Sequence, residues 1–594
     1  MGMSLLTIVL YLVYCYGLGF SVSKLVTLPK ELVERHVIRF GLGLGILPIL
    51  SIFLNLIHVP LDFKVILALA LVGPVIYLIK DKKFQPKGKP SIYAVGALII
   101  FLLSMFIYAK GAFSYPYLED DDPWGIAKTV KYISVEKTAF VPEGVRISNY
   151  IDPYPPSYFI FLAYLHQTSP DLMWTMKFFN ALTISLAVLF FFFFARRLMR
   201  SSKKAFYATL ILAMLPSFLS HFIWAIAMIM PLFFIAMYCY THQDRRWYLA
   251  GALVLASMLC TQPATGPILG ILLGIYWIIR ALKKLDWWFL SSMVLAGLLS
   301  LMWWLPMLLS WGGVKGIMEY FGGFSSENLM GSASRIYTFA DFFVAKPTNM
   351  INNPIGIGAV AMLLALVGLV FVLMSKNRDK HYTTIAWFAF ALITVNGVAL
   401  GISFFSFRMW MVLAIPIALL AAEGLILSVT LARRFYRPLG ILVLAMLLFG
   451  LVMTSGYQKY RVNTDVWPPG GWIGANPEVL PGLLYIKDNL PLNTKVFPAR
   501  MDSFLFGMNM HSCEWCDEVI EFRTGFHDAD ADSINDFLKE QGYRYLWFDG
   551  SFYRANYGDN ETLDKLAQLS ESLVVEYQSV FQGQPTPNVL FRVR

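Results

Sequence analysis

The sequence predicts a polytopic α-helical membrane protein of about fourteen spans, with a small α/β domain behind the last of them. Three observations lead there. The composition is 57% hydrophobic and 16% aromatic but only 14% charged, which excludes an ordinary soluble globule. Apolar runs long enough to cross a hydrocarbon core of ~30 Å recur along most of the chain. Beyond residue 455 the pattern changes to short, alternating helix and strand signals.

Spans are expected near 4–20, 39–58, 64–80 and 91–109, then 173–195, 205–219, 222–240, 247–262, 265–280 and 287–309. The last four are 355–374, 382–401, 407–430 and 438–454. The chain therefore divides into N-terminal spans (1–109), a first loop (110–172), a bundle (173–455) interrupted by a second loop (310–354), and a terminal domain (456–594). The first run lacks the basic flank and small-residue cleavage site of a signal peptide and is read as a retained span.

Orientation follows from the short basic loops, because Lys and Arg stay on the cytoplasmic side. Lys80, Lys82, Lys83, Lys87 and Lys89 share one loop, and Arg196, Arg197, Arg200, Lys203 and Lys204 share another. Arg245/Arg246, Arg280/Lys283/Lys284, Lys376/Arg378/Lys380 and Arg433/Arg434/Arg437 continue the series. Counting spans puts all of them on one face and both long loops, with the terminal domain, on the other. A multi-pass plasma-membrane protein with an extracytoplasmic C-terminal domain is expected. The net charge of +10 is mostly this topological signal, and no nucleic-acid partner is expected.

The first loop opens on four consecutive acids, Glu119-Asp120-Asp121-Asp122. A solvated loop is the bland explanation, but charge is costly beside hydrocarbon, and a cluster kept there points to function. Residues 126–135 read as a short amphipathic helix with Ile126, Val130 and Ile133 on one face. Pro153, Pro155 and Pro156 then lead into an apolar stretch, 158–165, too short to span and placed at the external interface. In the terminal domain, helices are expected over 478–489, 533–541 and 561–572, and strands over 495–499, 543–548 and 589–593. Cys513 and Cys516 are read as a disulfide in an exported domain. Cys15, Cys239 and Cys260 fall in spans and are read as packing residues.

An enzyme that takes sugar from a lipid phosphate needs a carboxylate as base or metal ligand, positive charge for the leaving phosphate, and an apolar groove. Asp120, Asp121 and Asp122 are the candidate carboxylates, with Glu327 of the second loop as partner. Such oxygen ligands suit magnesium or manganese. Arg408, at the external end of an apolar span, is the candidate cation, although an arginine there can also simply snorkel to water. The aromatic run 190–194 would suit a groove.

Four stretches add a family resemblance. Asp121-Asp122-Pro123-Trp124, followed by Ala127-Lys128-Thr129-Val130-Lys131-Tyr132, resembles the first-loop motif of oligosaccharyltransferase catalytic subunits. Tyr150-Ile151-Asp152-Pro153-Tyr154-Pro155-Pro156 is similar to the segment that follows it there, and to one in protein O-mannosyltransferases and lipid A aminoarabinose transferases. Phe324-Ser325-Ser326-Glu327 resembles the mobile-loop motif, and Arg408-Met409-Trp410 the late span that binds donor phosphate. The resemblance implies a GT-C fold and an inverting glycosyltransferase using a polyprenyl-phosphate-linked sugar, with a glycan, lipid or protein as acceptor. It implies that Asp122 is base or metal ligand, assisted by Asp121 or Asp120. Glu327 would be a second carboxylate and Arg408 the donor-phosphate anchor, with Tyr154 and His166 on the acceptor side.

Two departures qualify it. The terminal domain has no Trp-Trp-Asp motif for reading a protein sequon, and His221-Phe222-Ile223-Trp224 stands where a second acidic motif is expected. The rival readings are a lipid or polysaccharide transporter or flippase, and a non-catalytic assembly protein. A transporter would keep ionisable groups at mid-membrane, where Glu423 is the main interior acid of the late spans.

Overall fold

The computed structural model describes residues 5–80, 88–321, 335–344, 354–375, 381–401, 406–464, 471–500 and 503–594. Among them, seven helical stretches are long and apolar enough to cross a membrane: Leu5–Ser23, Leu32–Leu56, Ile92–Ala112, Leu172–Met199, Trp287–Ser310, Ser406–Phe435 and Arg437–Thr464. Six shorter apolar helices accompany them. About fourteen full spans were expected, and seven meet the length test. One cause is visible at Leu215-Pro216. A residue before proline is pushed out of the helical region, Leu215 is extended (ψ 124°), and the Ser202–Met214 helix stops there. The chain then runs without regular helix until Ile226–Tyr240.

The helices pack closely where side chains are small. A Cβ on Gly424 would come within 2.0 Å of the Leu364 carbonyl oxygen, and one on Gly368 within 1.9 Å of that of Leu420. The backbones of the Ala359–Met374 and Ser406–Phe435 helices therefore touch directly, the usual solution where lipid removes the hydrophobic drive for association. Phe190 to Phe194 are completely buried in the bundle. They are core, although such an aromatic run would also have suited a groove. Glu423 pairs with Lys204 at 2.8 Å, which accounts for the interior acid without a translocation path.

The terminal domain carries a four-stranded sheet in the order β1 (Val496–Pro498), β2 (Tyr545–Phe548), β4 (Gln584–Arg592), β3 (Val574–Phe581). β1 and β2 are parallel, joined by helices that include Asp517–Thr524 and Ala531–Glu540; β2/β4 and β4/β3 are antiparallel. Cys513 and Cys516 are bonded to each other.

This domain is seated on the loop helix Asp121–Glu136. Lys128 of that helix meets Glu514 at 2.6 Å, with both side chains buried, and Arg523 stands 3.7 Å from the same carboxylate oxygen. The indole N–H of Trp515 donates to Glu136 at 2.8 Å. Trp124 lies so close over Gly507 that a Cβ there would be 2.4 Å from its ring. Breaking a buried pair leaves an uncompensated charge, at about 3–5 kcal/mol. Glu514→Gln strands two cations, so it is expected to lower the thermal unfolding midpoint far more than loss of a surface pair. Thermal unfolding of the purified chain in detergent measures this.

Candidate functional site

The acids of the first loop have distinct roles in the backbone. Asp120 caps the Asp121–Glu136 helix: its φ is 61°, and its side chain accepts the Asp121 N–H at 2.8 Å. A non-glycine residue held at positive φ is sparsely populated, and such positions concentrate at functional sites. Asp121 is exposed and Asp122 half-buried, both in the first turn, where the helix dipole favours negative charge. Pro123 fits that turn because its missing N–H has no helical partner there.

Asp122 is the acid that enters a built environment. Its Oδ1 accepts a hydrogen bond from the Tyr150 hydroxyl. The Tyr150 ring lies against Gly125, one turn into the same helix, where a Cβ would be 2.7 Å away. Burial raises the Asp122 carboxyl above the usual carboxylate range. The Tyr150 hydrogen bond and the Arg408 charge pull it back, while Asp120 and Asp121 push it further up.

Arg408, in the first turn of Ser406–Phe435, acts electrostatically on Asp122, Tyr150 and Tyr154 together. Tyr154 is hydrogen-bonded to Gln262, and burial raises its hydroxyl against the pull of Arg408. Its ring lies 5.6 Å from that of Tyr150 and 6.2 Å from that of Phe321. The segment between the tyrosines is fastened to the Trp287–Ser310 helix and its end. Trp311 Nε1 donates to Asp152 at 2.7 Å, and Trp303 Nε1 to the Pro153 carbonyl at 3.3 Å. Loop residues thus hold their positions because a helical scaffold carries them.

The structure brings Asp122, Asp120, Tyr154 and Arg408 to one end of the bundle. It places His166, expected on the acceptor side, apart from them and nearer the middle of the loop helix. His166 Nδ1 lies 2.9 Å from the Ser169 carbonyl, and its Nε2 is 3.4 Å from Lys131 Nζ. Lys131 stands about 14 Å farther along the loop helix than Asp122, at 1.5 Å per residue. Glu327 lies outside the described residues. The chain on either side of its segment is at the site, however: Phe321 meets Tyr154, while Tyr337 and Phe342 pack on Trp410 at 5.2 and 4.7 Å.

Among the described residues no group of three or more His, Cys, Asp or Glu side chains is gathered as for a metal ion. Asp122 and Asp120 by themselves do not make a complete ligand set.

Beside this site lies a buried cluster that sequence reasoning did not assemble. Glu119 accepts from the Tyr115 hydroxyl, which is also 2.8 Å from His221 Nε2. Lys177 donates to the Tyr115 carbonyl at 2.8 Å. Glu119 Oε2 and His221 Nδ1 are both buried without a hydrogen-bond partner among the described residues. Burial raises the Glu119 carboxyl to about 7, although Lys177 and Tyr115 oppose it. A carboxyl so raised keeps in the folded state a proton that the unfolded chain loses above its ordinary 4.5. Folding stability should therefore fall as pH rises from about 4.5 to about 7. Glu119→Gln is expected to flatten that part of the profile, read from unfolding midpoints across the window.

One signal could have found this cluster. Lys177 is a cation within an apolar run, and intramembrane ions are functional or paired by default.

No protein-family model matches the sequence, and no curated protein matches it. Among solved structures, the chain is similar to ArnT from Cupriavidus metallidurans in two crystal structures. With undecaprenyl phosphate bound, that structure matches at 13% identity and a TM-score of 0.43, over 84% of this chain and 97% of the other. In the apo state the values are 13% and 0.44, over 84% and 98%. Superposition at that level is loose, and the site stands on its own geometry.

Proposed function

We propose that the chain is an integral-membrane inverting glycosyltransferase that moves a sugar from a polyprenyl-phosphate-linked donor to an acceptor hydroxyl on the external face. The observation that carries this reading is the convergence of Asp122, Tyr150, Tyr154 and Arg408 where loop helix and bundle meet. The motif resemblance assigns the same pair of charges, Asp122 and Arg408, to base and phosphate anchor.

Asp122 takes the proton of the acceptor hydroxyl as that oxygen attacks the anomeric carbon. The bond from that carbon to the phosphate oxygen breaks on the opposite side, and the electron pair leaves with the lipid phosphate. Arg408 stabilises the charge that develops there, as a fixed donor fork aimed at an oxyanion. Tyr150 holds the Asp122 carboxylate in one orientation, and Asp121 and Asp120 add local negative charge. The acceptor is a glycan, a lipid or another polymer, because the domain carries no Trp-Trp-Asp reader of protein sequons.

Where a magnesium or manganese ion takes part, Glu327, Asp120 and Asp122 would hold it, and it would supply positive charge to the leaving phosphate. Recovery of EDTA-stripped activity on adding either ion tests that part. The whole reading is tested by incubating the purified chain with polyprenyl-phosphate sugars and following release of polyprenyl phosphate. Release that requires an added acceptor, with inversion at the anomeric carbon, supports it; no release from any such donor sinks it.

A further inference from the structure

At the end of the bundle away from Asp122 the helices surround a strongly cationic cavity of about 1040 Å³. Leu172–Met199 starts on the Asp122 side and, with 28 residues at 1.5 Å each, ends about 42 Å away. Arg196, Arg197 and Arg200 line the cavity from that far end. Arg280, in the last turn of the Thr265–Ala281 helix, and Lys283 and Lys284, in the turn after it, line it from another side.

Among the described residues only two carboxylates share the lining, and both are engaged. Glu34 pairs with Arg196, and Asp286 stands 3.4 Å from Arg280. The lining therefore keeps a clear excess of positive charge. Topology alone accounts for cations on this face, but not for two separate helix ends and the turns after them bringing theirs to one hollow. A hollow of this kind needs an anion with several acceptor oxygens, and guanidinium groups match phosphate best.

The level of the cavity points to the source. Trp287 and Trp288 are on its lining and are 64% and 52% exposed. Arg245 lies over the Trp288 ring at 4.0 Å. Exposed tryptophans beside cations mark the depth of lipid headgroups, and basic hollows between helices there hold anionic ones.

We propose that this cavity binds a phosphate group, taking it from the headgroup of an anionic phospholipid. The site is separate from the transferase site and does not depend on that reading.

The full chain in nanodiscs of phosphatidylcholine, with or without phosphatidylglycerol, provides the test. Phosphatidylglycerol should raise the unfolding midpoint and stay bound in native mass spectrometry. The combined Arg200→Gln, Lys283→Gln and Lys284→Gln variant should lose most of both effects. The combination Arg433→Gln, Arg434→Gln and Arg437→Gln, which removes three exposed cations outside the cavity lining, should keep them. If both triple variants lose equally, or the cavity variant loses nothing, the proposal is overturned. A rise produced by inorganic phosphate in pure phosphatidylcholine would keep the phosphate site and overturn the lipid as its source. Should the cavity triple fail to fold, Arg200→Gln alone carries the same comparison.

Discussion

Asp122→Asn is expected to remove nearly all transfer while leaving the protein folded. The amide matches the carboxylate in shape and can still accept the Tyr150 hydroxyl proton, but it cannot take a proton from an acceptor. Loss of a positioned base costs roughly 10²- to 10⁴-fold in rate, which is about 3–5.5 kcal/mol of barrier at 1.36 kcal/mol per decade. Stability should hold or rise slightly, since the buried carboxylate is disfavoured in its charged form. Donor turnover and unfolding midpoint, measured on one preparation, separate the two effects. Turnover within twofold of wild type would remove Asp122 from the chemistry. The wild-type rate should also fall as pH drops through the raised Asp122 pKa, because only the ionised form serves as base.

Arg408→Gln is expected to be nearly as severe, by a different route. Removing one preorganised partner of a developing oxyanion costs about 10²- to 10³-fold, or roughly 2.7–4 kcal/mol. Since the phosphate is charged in the bound donor as well, the donor KM should rise while kcat falls. Arg408→Lys keeps the charge but loses the planar fork and should fall between the two. A second signature is independent of donor binding. The Arg408 charge lowers the Asp122 pKa, so its loss lets that pKa climb, and the acid limb of the rate profile should move to higher pH. An unshifted limb would mean that the two side chains do not communicate. Rate–pH profiles of Arg408→Gln and wild type decide it.

The features legible in the chain were those written as periodicity or as local motif. Ile126, Val130 and Ile133 marked the loop helix, observed as Asp121–Glu136, and all three are buried. In the terminal domain, expected helices and strands near 478–489, 495–499, 533–541, 543–548 and 561–572 correspond to observed elements within a few residues. β3 was missed because most of its residues are exposed or only partly buried, which leaves no apolar alternation to read. Its partner β4 starts at Gln584, earlier than the apolar run beginning at Val589 shows. In the site, Asp122 could be singled out by its run of acids and Arg408 as a lone cation at the end of an apolar span. Tyr150, Gln262 and Tyr115 could not, because a hydroxyl or amide in a loop acquires a role only from what folding sets beside it. Lys177 stands out as a lone cation in an apolar run, but its partners do not, and Phe190 to Phe194 suited a groove because burial inside a bundle and exposure to lipid leave the same apolar signature.

The ion pair between Lys128 and Glu514 also bears on when the protein becomes competent during its synthesis. The carboxylate that Lys128 needs lies 386 positions downstream. Until residue 514 has been made and its domain has docked, the helix bearing Asp122 carries a cation with no counter-charge and cannot bury it cheaply. A partly made chain therefore holds its acidic residue on an unsettled helix. Docking of the terminal domain is the step that settles the helix bearing Asp122.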